Sequence, residues 1–82
     1  MDRPNLNQNT AIPMHEVKSS QIGFIGYQDS TMYVKFKNGK VYSYFPVGFD
    51  KFEEFKNSES IGSFFHKNFK SNSELTIKPI KL

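Results

Sequence analysis

The sequence predicts a small α+β domain, an antiparallel three-stranded β-meander packed on one face by two short C-terminal helices, to which a short extra C-terminal strand could be added. Three observations predict it. Asn38-Gly39 sits between two alternating apolar–polar segments, the alternation stops at Pro46, and phenylalanines recur at helical spacing beyond it.

A chain of 82 residues makes one domain. At this size folding buries only roughly 60–65% of the surface exposed by the unfolded chain, so stability is thin. The nine Phe and four Tyr compensate, because each buried aromatic removes about 150–250 Å² from water. The absence of cysteine excludes a disulfide scaffold, a thiolate zinc site and a cysteine nucleophile, and it fits a reducing cytoplasm. The net charge of +3 permits contact with nucleic acid or another anionic surface without requiring it. No apolar run approaches the ~18–20 residues of a membrane span, and Met1-Asp2-Arg3-Pro4-Asn5 lacks the charged-then-apolar order of a secretory signal.

Residues 1–13 are polar with isolated apolar positions and read as a flexible lead-in. Residues 14–27 read as a first strand, with Gly23 and Gly26 marking a bulge or a close backbone approach. Gln28-Asp29-Ser30 supplies a turn. Thr31–Phe36 then alternates, Lys37-Asn38-Gly39-Lys40 turns the chain, and Val41–Phe45 returns until Pro46 withholds its N–H from the ladder.

Asn-Gly favours a two-residue type I′ turn, which needs positive φ at both positions. That turn sets a register in which Lys35 faces Tyr42, Tyr33 faces Tyr44, Val34 faces Ser43 and Met32 faces Phe45. One face of the hairpin is then Met32, Val34, Phe36, Val41 and Phe45, which is core. The other is Tyr33, Lys35, Lys37, Lys40, Tyr42 and Tyr44, aromatic and basic together. A slip of one residue exchanges the two sets.

After Pro46, Asp50 and Glu53 have the spacing of a capping box for a helix carrying Phe49, Phe52 and Phe55. Asn57-Ser58-Glu59-Ser60 interrupts it and offers N-caps for a second helix. In that helix Ile61, Phe64, Phe65 and Phe69 form a core stripe, while Lys67 and Lys70 near its end suit the helix dipole. Residues 73–82 read as a tail or a short edge strand limited by Pro79.

Several of these segments resemble one family. Ser19-Ser20-Gln21-Ile22, Ile25-Gly26-Tyr27, Tyr33-Val34-Lys35-Phe36, Gly39, Tyr42-Ser43-Tyr44, Ser60-Ile61-Gly62 and Phe65-His66-Lys67-Asn68, in this order, resemble the KTSC domain over residues 14–72. That domain occurs at the C-terminus of some lysyl-tRNA synthetases and alone in short bacterial and phage proteins. The resemblance implies a central Tyr-x-Tyr motif, here Tyr42 and Tyr44, and RNA contact as the suggested role. One position departs: Ile61 stands where the family often has a basic residue.

The site expected from both arguments is a noncatalytic platform for RNA or single-stranded nucleic acid. Tyr33, Tyr42 and Tyr44 would stack on bases, and Lys35, Lys37, Lys40, Lys67 and Lys70 would hold phosphates. The same face or a strand edge would equally suit a protein partner or a second copy. His15 and His66 lack the spacing of a metal site, no serine has a histidine–acid arrangement beside it, and the glycines form no phosphate loop. No cofactor, no metal, no membrane contact and no catalysis are expected.

Overall fold

In the computed structural model, residues 12–70 and 72–81 are described. Most of the expected lead-in, residues 1–11, lies outside them. Among the described residues the chain runs β1 (Met14–Glu16), β2 (Ile22–Gln28), β3 (Thr31–Phe36), β4 (Val41–Phe45), α1 (Phe49–Lys56), α2 (Ile61–Asn68) and β5 (Thr76–Ile80). The strands form one antiparallel sheet in the order β1-β2-β3-β4-β5. The expected meander is its centre, β2 to β4, and the segment left open as a tail or edge strand is β5. No helix among the described residues is long and apolar enough to cross a membrane.

The segment expected as one first strand is two. Ser19 folds the chain between them: its Oγ accepts the N–H groups of Gln21 and Ile22 at 3.2 and 3.3 Å, a serine turn that offers the backbone an alternative to the ladder. Both glycines of β2 take the roles their type suggests. The β2–β3 register shifts between Ile22 and Phe24, which makes Gly23 the bulge. Gly26 pairs with Met14, and a Cβ there would lie 2.7 Å from the Pro13 carbonyl oxygen.

The two hairpin turns are exchanged relative to expectation. The type I′ turn is at Asp29-Ser30, where φ is 53° and 61° and Gln28 pairs with Thr31. At the second turn Gly39 alone has positive φ, at 93°. The Gly39 N–H donates to the Phe36 carbonyl at 2.9 Å, and the Phe36 N–H donates to the Lys40 carbonyl at 2.8 Å. Asn38 Oδ1 accepts from the Lys40 N–H at 2.9 Å. Lys37, Asn38 and Gly39 therefore form a three-residue loop with glycine in the left-handed position, not a two-residue one.

That extra loop residue moves the register by one. Met32 faces Tyr44, Tyr33 faces Ser43, Val34 faces Tyr42 and Lys35 faces Val41. The face sets expected from a type I′ turn are corrected accordingly. Tyr42 and Tyr44 join Met32, Val34 and Phe36 on the helix-covered side, while Val41, Ser43 and Phe45 join Tyr33 and Lys35 on the other. Helix α2 supplies the reason: Phe65 meets the Tyr44 ring edge-on at 5.7 Å and Phe36 at 5.6 Å, and Phe69 is 6.4 Å from Tyr44. The expected register would have put Ser43 there, losing aromatic contact and placing a hydroxyl in an apolar layer.

Helix α1 begins at Phe49 behind Gly48, with no side-chain cap. The capping box expected from Asp50 and Glu53 does not form, because Asp50 sits inside the first turn, where its charge still suits the positive end of the dipole. Of the caps offered by Asn57-Ser58-Glu59-Ser60, α2 uses Ser60, whose Oγ accepts the Ser63 N–H at 3.3 Å. The phenylalanine stripe is core as expected. Phe55 is fully buried, with Phe64 stacked at 5.6 Å and Phe69 edge-on at 5.2 Å. Tyr27 ties the sheet to the segment before α1: it stacks on Phe52 at 5.1 Å and donates its hydroxyl to the Val47 carbonyl at 2.6 Å.

Candidate functional site

The eight residues expected to form one platform fall in three places. Tyr33 and Lys35 point away from the helices, and Lys37 and Lys40 flank them at the hairpin end. Tyr42, Tyr44 and Lys70 border a cleft between β4, β5 and α2. Lys67 lies in a neighbouring groove with Ser60, Gly62, Ser63 and His66.

On the helix-free face the pairings arrange three rings diagonally. Phe24 on β2 shares a row with Lys35, Val41 and Ile80; Tyr33 on β3 shares the next with Gly26, Ser43 and Lys78; Phe45 on β4 shares a third with Thr76. Each ring is thus one row and one strand from the next, a diagonal that long side chains span. Phe24 is 37% exposed and Phe45 48%, values high for phenylalanine on a small protein. The Lys35 ammonium lies 5.9 Å from the centroid of the Phe24 ring, within cation–π range. Phe45, expected in the core, is here because of the register shift, and Phe24 was not singled out at all. Alternation from Tyr33 across the Gln28–Thr31 turn is the signal that would have found Phe24.

Lys35 also stands between two shallow grooves. One is lined by Lys40, Val41, Ile80 and Lys81, the other by Lys18, Phe24 and Lys37. Among the described residues that line them, Glu16 is the one carboxylate. Three lysines outside the expected set, Lys18, Lys78 and Lys81, are therefore on or beside this face. Lys78 and Lys81 reach it through β5, whose pairing was not foreseen in detail.

The cleft on the opposite side of the sheet has a volume of about 300 Å³ and is bordered by Gln21, Phe36, Tyr42, Tyr44, Phe65, His66, Lys70 and Ile77. Tyr44 is only 3% exposed. Among the described residues its hydroxyl has no hydrogen-bond partner, unlike that of Tyr27. Burial, with a smaller contribution from Tyr42 beside it, pushes the Tyr44 phenol from 10.0 up to about 12. The hydroxyl is a neutral donor at any physiological pH. His66 borders the cleft, whereas His15 lies against Phe52 with ring centroids 6.4 Å apart. The two histidines do not meet.

The sheet edges are poorly suited to strand addition. β1 has three residues, and β5 carries Pro79 between Lys78 and Ile80, features that blunt an exposed ladder.

This fold is one already seen. A family model described as the KTSC domain matches residues 18–72, and the chain belongs to that family. Among solved structures it is similar to the crystal structure of a KTSC domain protein from Yersinia pestis, with 28% identity and a TM-score of 0.74, over 87% of this chain and 100% of that one. No curated protein matches it.

Proposed function

We propose that this domain is a noncatalytic accessory module that contacts RNA or other single-stranded nucleic acid through the helix-free face of its sheet. One observation carries the reading: Phe24, Tyr33 and Phe45 occupy three successive rows on three successive strands, with Lys35 among them and further lysines on both flanks. Bases stack on exposed rings whatever their sequence, for about 1–3 kcal/mol each, and flanking lysines neutralise the phosphates between them. The interface differs from the one expected from sequence in two respects. Phe24 and Phe45 replace Tyr42 and Tyr44 as stacking rings, and Lys67 and Lys70 lie outside it, whereas Tyr33, Lys35, Lys37 and Lys40 stay. A cysteine-free chain with this surface suits the reducing, nucleic-acid-rich cytoplasm.

The test is fluorescence anisotropy with labelled single-stranded RNA, single-stranded DNA and duplex DNA over a salt series. Single strands should bind more tightly than duplex, with a log–log salt slope of about −0.7 per phosphate contacted. Absence of binding to every oligonucleotide at low salt sinks the reading. Salt-insensitive binding of a protein to this face would instead make it an interaction module.

A further inference from the structure

The cleft beneath the Tyr-x-Tyr segment lies on the far side of the sheet from the proposed nucleic-acid face and has different chemistry. Its walls are ring surfaces: Tyr42 and Phe65, with Phe36 edge-on to both at 6.0 and 5.6 Å. Its lining includes Tyr44, a residue only 3% exposed whose hydroxyl has no partner among the described residues. A buried hydroxyl in an apolar layer costs free energy until something accepts its proton. At the rim Gln21 offers an amide, and His66 and Lys70 offer basic nitrogens.

A ligand that satisfies all of these is flat, carries an acceptor at its inner edge and ends in an anion. Gln21 narrows the choice, because one side-chain amide presents a donor and an acceptor in a single plane, the pattern that a nucleobase edge complements. The volume of about 300 Å³ lies at the lower end of the small-molecule range of about 300–1,000 Å³, so it admits one nucleotide rather than a strand. We infer that the cleft between β4, β5 and α2 binds a single nucleoside phosphate, with the base between Tyr42 and Phe65, an acceptor on the Tyr44 hydroxyl and the phosphate beside Lys70. The nucleotide is either free or the terminal residue of a strand, and the two sources share this chemistry.

Titration of adenosine and uridine monophosphate into isotope-labelled protein, read by amide chemical shifts, tests the assignment. The resonances of Tyr42, Tyr44, Phe65 and Lys70 should move and saturate, and inorganic phosphate alone should not reproduce the pattern. A phosphorylated tetranucleotide that perturbs the same residues more strongly identifies a strand terminus as the ligand; an equal or weaker effect identifies the free nucleotide. Tyr44→Phe should weaken binding roughly tenfold, the loss of one hydrogen bond in a desolvated site, while its unfolding midpoint is unchanged or raised. Lys70→Ala, on the exposed rim, should weaken binding with the fold intact. Tyr33→Ala should leave this binding unchanged, so that failure of either site is seen separately. Shifts confined to the helix-free face, or wild-type affinity in Tyr44→Phe, would overturn the inference.

Discussion

Met32 stands opposite Tyr44 across β3 and β4, and that pairing decides which side of the sheet each tyrosine of the Tyr-x-Tyr segment occupies. The ring of Tyr44 is fixed between Phe65 and Phe69, so it belongs to the core as much as to any site. Its hydroxyl has no hydrogen-bond partner among the described residues. The packing role and the ligand role of this residue can therefore be separated by removing one oxygen.

Tyr44→Phe should stabilise the free protein. The phenyl ring keeps its contacts with α2, and the desolvated hydroxyl disappears, for a gain of about 1 kcal/mol. Chemical denaturation at neutral pH checks this, and a loss of stability would mean that the hydroxyl has a partner.

The same variant should flatten the alkaline side of the stability profile. Tyr44 ionises near 10.0 when unfolded and at about 12 when folded. Between these values the unfolded state has released a proton that the folded state keeps, so stability falls as pH rises. The slope is at most about 1.4 kcal/mol per pH unit from one group. Lysines also titrate there, so the difference between wild type and Tyr44→Phe is the quantity to measure.

Ser30→Gly should raise the unfolding midpoint. Ser30 holds φ of 61° in the type I′ turn, a conformation that costs a residue with a Cβ about 1–2 kcal/mol. Part of the gain is lost to the greater freedom of glycine in the unfolded chain, leaving about 0.5–1 kcal/mol. The hydrogen bond from the Val47 N–H to the Ser30 carbonyl, 2.7 Å, involves only backbone and should persist.

Gly26→Ala should destabilise by about 1–3 kcal/mol, the usual range for overpacking. The added methyl would lie 2.7 Å from the Pro13 carbonyl and would meet the Met14 sulfur. Backbone rather than a flexible side-chain end is in the way, so β1 has to shift. Amide exchange of residues 14–16 should rise in the variant while that of β3 and β4 changes little.

On the helix-free face, Tyr33→Ala should weaken single-strand binding by about 1–3 kcal/mol with little change in salt slope. Lys35→Ala should reduce the slope by about 0.7. Both measurements come from the same anisotropy series. Equal affinity in both variants would place the contact elsewhere.

Most local structure was legible in the residues. A cap within residues 57–60, a bulge or close approach at Gly23 and Gly26, and Pro46 as a strand end each follow from chemistry confined to a few neighbouring positions. So does the phenylalanine stripe of α2. The register of the second hairpin was not legible. Val41 and Phe45 alternate with Tyr42 and Tyr44, so both parities present a plausible apolar face, and only a loop of two or three residues separates them.

By itself, then, the sequence determined the α+β class, the central meander and the two helices after it, because turn, cap and periodicity signals act over a few bonds. The split of the first segment into β1 and β2 and the pairing of β5 came from the folded chain. Tertiary structure alone decided the faces. Phe65 of α2 and Phe69 at its C-cap, more than twenty residues from Tyr44 in the chain, draw that ring inward and thereby turn Phe45 outward. That choice depends on contact area between distant segments, which no local pattern encodes. It exchanged one expected platform for two surfaces, an open ring-and-lysine face and a cleft bordered by Tyr44.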